Sequence, residues 1–239
     1  MTRRLAMFPL ENVLLPGSLL PLHVFEERYR VMINECLGGD GTFGVVLIER
    51  GREVGGGDSR VNVGTVAVIV DSSELPGGRY ALVCRGTSRL RVLEWLPDDP
   101  YPIAVVEIDA NEEEAEPALV VRAEASVRRA WALLSELGAD SPLDPSRPLG
   151  RYGRAADGAI GESGGADVVR GADEAWAWCA LAPLTALDRF RLLDAEHHAE
   201  RLDLLCELTN AVADDARRLL ASGGTARNGG AGDPGGGGL

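Results

Sequence analysis

The chain has 239 residues, 45% of them hydrophobic and 26% charged, with a formal charge of −13, enough material for one large domain or two small ones with a real core. That acidity argues against attraction to phosphate backbones or anionic lipid, so neither nucleic acid nor membrane is expected as a partner. All 24 basic residues are Arg and none is Lys, which excludes a Walker A lysine, a Ser-Lys dyad and a Schiff-base lysine.

From Leu5 to about Ala110 the chain reads as short β-runs parted by turn residues. The clearest are Phe43 to Glu49, Val63 to Val70, Arg79 to Arg85, Ser88 to Trp95 and Ile103 to Asp109, rich in β-branched and aromatic residues. Gly55-Gly56-Gly57, Pro76-Gly77-Gly78, Gly86 and Pro97-Asp98-Asp99-Pro100 supply the expected turns. Strands this short and this evenly spaced suggest a small barrel. One helix interrupts them from Phe25 to Leu37, where Phe25, Tyr29, Met32, Ile33, Cys36 and Leu37 recur at helical spacing before Gly38-Gly39. Its outer face is expected to pair Glu26 with Arg30.

After Glu112-Glu113-Glu114, read as charge favoured at a helix N-terminus, the period becomes helical. Leu119, Ala123, Val127, Ala130, Trp131, Leu134 and Leu137 form one stripe, ending near Gly138. Residues 139–171, rich in Gly and Pro, read as a flexible insertion. Helix resumes at Asp173, and Leu202, Leu205, Thr209, Val212, Ala216 and Leu219 make a packing stripe. The division expected is a β domain over 1–111, a helical subdomain over 112–221 and a disordered Gly-rich tail over 222–239. Residues 111–239 hold 13 Arg against 22 acids, so the helical part carries most of the negative charge.

Two catalytic patterns fail on context. Gly39 to Gly44 spells GxGxxG but follows a helix and precedes a strand, the reverse of a dinucleotide site. Gly161-Glu162-Ser163-Gly164-Gly165 spells a nucleophile elbow inside the insertion, where nothing holds a triad. The neighbours His197 and His198 diverge on a helix and read as a solvated polar face. Arg89 and Arg91 share one strand face and read the same way. Cys36, Cys84, Cys179 and Cys206 lie far apart, without a zinc pattern, as buried thiols of a reducing cytoplasm. No apolar run reaches the ~20 residues of a membrane span. No metal, cofactor or catalytic residue is expected.

Met7-Phe8-Pro9-Leu10, Val13-Leu14-Leu15-Pro16-Gly17 and Leu20-Pro21-Leu22-His23-Val24-Phe25-Glu26-Glu27-Arg28-Tyr29-Arg30 closely resemble the opening of the Lon protease N-terminal substrate-binding domain. Phe43 to Ile48, Val63 to Ala67, Gly78 to Leu82 and Tyr101 to Ala104 follow in family order, and Leu184 to Leu193 with Arg201 to Leu208 resemble the trailing bundle. The resemblance implies an α+β fold: a PUA-like β pseudo-barrel with one amphipathic helix, followed by an α-helical bundle. In full Lon proteases this domain recognises unfolded or tagged substrates and passes them to ATPase and protease domains. This chain ends where the ATPase is expected to begin, so the resemblance implies a non-catalytic module that binds unfolded or extended polypeptide.

Two readings of the matched residues stand side by side. In one, Pro9, Pro16 and Pro21 fix chain direction, Phe25 and Tyr29 lie on the buried stripe of the helix, and His23 is a hydrogen-bonded structural histidine. In the other, Leu19, Leu20, Pro21, Leu22, His23, Phe25 and Tyr29 border an apolar groove for extended peptide. The alternative at the level of the whole chain is an adaptor that docks one specific protein, such as a protease complex, through its acidic helical half.

Overall fold

The structure, a computed structural model, describes residues 1–50, 59–109, 114–143 and 172–227. Six strands, β1 (Thr2–Leu10), β2 (Leu19–Val24), β3 (Thr42–Arg50), β4 (Ser59–Leu75), β5 (Arg79–Leu96) and β6 (Ile103–Ile108), run in the order β2-β5-β4-β3-β1-β6. β6 also pairs with β5, from Leu90↔Ile108 to Leu96↔Ile103, so five strands close into a barrel. β2 lies outside that ring, antiparallel to the first half of β5 from Leu19↔Arg85 to Val24↔Tyr80. β1 runs parallel to β3, Met7↔Gly44 to Leu10↔Leu47.

Alternation along β1 sorts the barrel into two cores. Leu5 and Met7 join Val46, Val66, Leu90, Val92, Ala104 and Val106 in one. Phe8 and Leu10 face the other, beneath α1 (Glu27–Leu37), with Tyr29, Met32, Ile33, Phe43 and Leu82. The helix docks through the expected stripe, but it begins two residues late. Glu26 is its N-cap with ψ 136°, so Phe25 precedes the helix and points to solvent, 56% exposed, instead of lying on the buried stripe. Arg30 does not pair with Glu26: it donates to Glu27 Oε2 (2.7 Å) and to the Gly78 carbonyl (2.5 Å), and Glu26 pairs with Arg28 (3.2 Å).

Gly86, expected as a turn, lies inside β5, which runs unbroken through both predicted strands. Its glycine serves a close approach: a Cβ there would stand 2.5 Å from the Leu15 carbonyl oxygen. Pro76-Gly77-Gly78 is a turn, with φ of +83° and +69° at its glycines. Gly55-Gly56-Gly57 lies outside the described residues.

The remaining helices are α2 (Pro117–Glu136), α3 (Ala172–Leu181), α4 (Ala186–Asp194) and α5 (His198–Arg227). α2 packs lengthwise on α5, and Val120, Ala123, Val127, Trp176, Trp178, Leu192, Leu202 and Leu205 form their common core. Leu15, from the loop between β1 and β2, and Val63 of β4 enter that same core. α2 starts with Pro117 at its first turn, so Glu114 lies before the helix rather than in it, while Glu112 and Glu113 fall outside the described residues. The nucleophile-like Gly161 to Gly165 falls there too, as does nearly all of the expected insertion. α5 continues past Ser222, where the Gly-rich tail was expected, to Arg227.

Arg89 does not lie on a solvated face, whereas Arg91 beside it stays partly exposed. Arg89 is 3% exposed and donates to the carbonyls of Leu193 (2.7 Å) and Asp194 (3.0 Å) and to Asp109 (2.9 Å), while Arg91 pairs with Glu196. From the other side Arg201 donates to the carbonyls of Leu192 (3.0 Å) and Ala195 (2.6 Å). Two buried guanidinium groups thus satisfy four successive carbonyls at the C-terminal end of α4, where a helix leaves its acceptors unpaired. His198 belongs to this corner and is buried, its Nδ1 2.9 Å from Arg201 Nη1; only His197 is exposed.

Candidate functional site

The chain enters β2 through Gly17, whose φ of +80° reverses direction. Leu20, Leu22 and Val24 then face the core under α1, whereas Pro21 and His23 are exposed. Because α1 starts only at Glu27, the extended backbone carries Phe25 past the core and leaves it at the rim. Behind it Tyr29 is buried, stacked on Phe8 at 4.2 Å between centroids and tilted by 14°. Arg28 covers the same ring at 4.5 Å and is held by Glu26.

These residues enclose a shallow groove of about 150 Å³, lined by Phe8, Leu10, Pro21, Leu22, His23, Val24, Phe25, Glu26 and Tyr29. Five of the seven expected residues meet here: Pro21, Leu22, His23, Phe25 and Tyr29. Leu19 and Leu20 do not line it, and Leu20 packs into the core. His23 makes no side-chain hydrogen bond to any described residue, against the structural reading of that histidine. Phe8, Leu10, Val24 and Glu26 escaped sequence reasoning, although alternation in β1 places Phe8 and Leu10 on one face.

Two larger clefts close on themselves electrostatically. One of about 490 Å³ contains Arg91 and Glu196, which pair with each other, and one of about 340 Å³ contains the Arg3–Asp40 pair. Among the described residues no cluster of His, Cys, Asp and Glu could hold a metal ion, and no helix is long and apolar enough to cross a membrane. Cys36 and Cys84 are poor nucleophiles: burial, with Asp40 and Glu35 adding to it, pushes Cys36 up to about 11, and burial pushes Cys84 up to about 12.

A β-barrel with an added edge strand, a helix across its open face and a trailing helical bundle make up the α+β fold that carries this apolar groove. The family model described as the ATP-dependent protease La (LON) substrate-binding domain matches residues 4–211, and the chain belongs to that family. It is 33% identical over 105 residues to Lon protease of Dictyoglomus thermophilum, covering 44% of this chain and 13% of that protein. To Lon protease 2 of Myxococcus xanthus it is 33% identical over 141 residues, covering 56% and 17%. The chain therefore spans a small part of the length of these relatives. In fold it is similar to a Lon N-terminal domain protein from Xanthomonas campestris, with a TM-score of 0.56 and 24% identity over 85% of this chain and 96% of that one.

Proposed function

We propose that this chain captures exposed apolar stretches of unfolded or extended polypeptide in the groove between β2 and the start of α1, as a binding module with no catalytic step of its own. Phe25 carries the reading. More than half of a phenylalanine stands in solvent beside an apolar slot, an arrangement that marks protein-binding surface. Membership in a substrate-binding family supports it, and four buried cysteines that form no disulfide are in keeping with a cytoplasmic setting. Docking of one partner through the acidic helical half finds less support. Asp203, Asp214 and Asp215 are already paired with Arg122, Arg217 and Arg218, so a partner's basic groups would have to break these contacts to engage the three carboxylates directly.

The test is fluorescence anisotropy with labelled, reduced and carboxymethylated α-lactalbumin, a permanently unfolded chain. Phe25→Ser is the informative variant, because Leu20 and Leu22 are core residues whose polar replacement would disturb the fold itself. Losing the burial of one Phe side chain should weaken binding by roughly tenfold or more. Equal affinity in the folded variant would remove the groove from consideration.

A further inference from the structure

Among the described residues β2 pairs with β5 alone, and Pro21 determines which of its main-chain groups face away. In an antiparallel ladder, residues alternate between exchanging hydrogen bonds with the opposite residue and turning their N–H and C=O to the other side. Pro21 stands opposite Val83 and has no N–H, so Leu20, Leu22 and Val24 are the residues bonded to β5. Leu19, Pro21 and His23 turn outward. One step upstream, Gly86 N–H donates to the Ser18 carbonyl at 2.9 Å, which continues the same alternation. The main-chain groups of Leu19, Pro21 and His23 meet no hydrogen-bond partner among the described residues.

The free edge therefore offers donor and acceptor at Leu19 and His23, and an acceptor alone at Pro21, along the groove that Phe25 and Tyr29 flank. We infer that the bound polypeptide joins this edge as an added strand, anchored on the His23 N–H and C=O, donating one N–H to the Pro21 carbonyl, and placing one apolar side chain against Phe25. This deepens the function proposed above and rests on it. The occupant is a foreign extended segment rather than a second copy. A two-fold pairing of β2 with its own copy brings two Pro21 residues into one short ladder and forfeits two donors, whereas a foreign strand forfeits one. Main-chain recognition of this kind tolerates varied sequence, as capture of unfolded chains requires.

The probe is an acetylated nonapeptide of alternating Ser and Leu with a central Phe, together with its singly N-methylated variants, titrated against the full wild-type chain. Methylation at every second amide near the Phe should weaken binding by about tenfold, because each such change removes a donor the edge accepts, and the intervening positions should be silent. His23→Pro, which deletes the outward N–H while leaving the β5 ladder intact, should weaken binding, and Pro21→Ala, which restores a donor, should tighten it by about two- to tenfold. Binding that survives methylation uniformly would overturn strand addition while leaving the groove as a side-chain pocket. Failure of the unmodified peptide and of unfolded α-lactalbumin to bind would overturn the parent reading as well.

Discussion

Cys36 and Cys84 lie in the core between α1 and the barrel, where water does not stabilise a thiolate. Burial raises both, Cys36 to about 11 and Cys84 to about 12, from an ordinary value of 9.0. Tyr101 shares that fate: burial, and then the bond its hydroxyl donates to Glu35, lift it from 10.0 to about 12. In each case the folded chain holds the proton more tightly than the unfolded one, so the contribution to stability is complete below pH 9 and declines as pH rises toward 11 to 12. The urea midpoint should stay level from pH 7 to 9 and fall above it, with a shallower fall in the Cys36→Ala/Cys84→Ala double variant. An identical slope in that variant would assign the alkaline loss elsewhere. Burial of these cysteines is legible from their apolar neighbours in the sequence. That Tyr101 reaches Glu35 across the fold is not, since 66 residues separate them.

β5 shows how an element can be read correctly in its parts and wrongly as a whole. Both runs, Arg79 to Arg85 and Ser88 to Trp95, are strand, and the glycine between them marks a shift of register against β4, from Thr65↔Arg89 to Ala67↔Gly86, and not a turn. Glycine serves turns and close backbone approaches alike, and one sequence does not say which, because the approaching Leu15 carbonyl comes from a loop 71 positions earlier. Gly86→Ala would set a Cβ 2.5 Å from that carbonyl and 3.1 Å from side-chain carbons of Leu14 and Thr65. We expect a loss on the order of 1–3 kcal/mol in urea unfolding, as for other overpacked core positions. A neutral result would mean that the loop gives way freely. The start of α1 misleads for a related reason: Phe25 and Tyr29 are spaced as helical neighbours, but the backbone stays extended until Glu26, so periodicity alone assigns the groove's most exposed aromatic to the core.

In the molecule as a whole, the barrel and the helices are bonded to each other as well as packed. Leu15 and Val63 enter the helical core, and Arg89 carries a charge into the α4–α5 corner, where it satisfies two carbonyls. Thermal unfolding should therefore be a single cooperative transition. Arg89→Leu strands two buried carbonyls at about 1–3 kcal/mol each and should lower the midpoint markedly or split the transition. Arg91→Leu, on an exposed pair, should cost less than about 1 kcal/mol. Calorimetry of the three proteins separates these outcomes, and equal melting of all three would refute a structural role for the corner. Barrel, helices and half of the groove were legible because periodicity, turn residues and ordered family motifs are local signals. The corner was not, because a strand arginine looks alike whether it meets water or a helix end more than a hundred residues away.

The length of β5 gives this architecture a spine. At about 3.3 Å per residue, its 18 residues reach from the turn beside β2 to the far end of the barrel. One end frames the edge at which a guest strand would be added, and beyond Gly86 Arg89 grips the helices. A guest strand laid along β2 would make β2 an interior strand of the sheet. A single strand thus serves as framework for the groove at one end and as anchor of the helical bundle at the other.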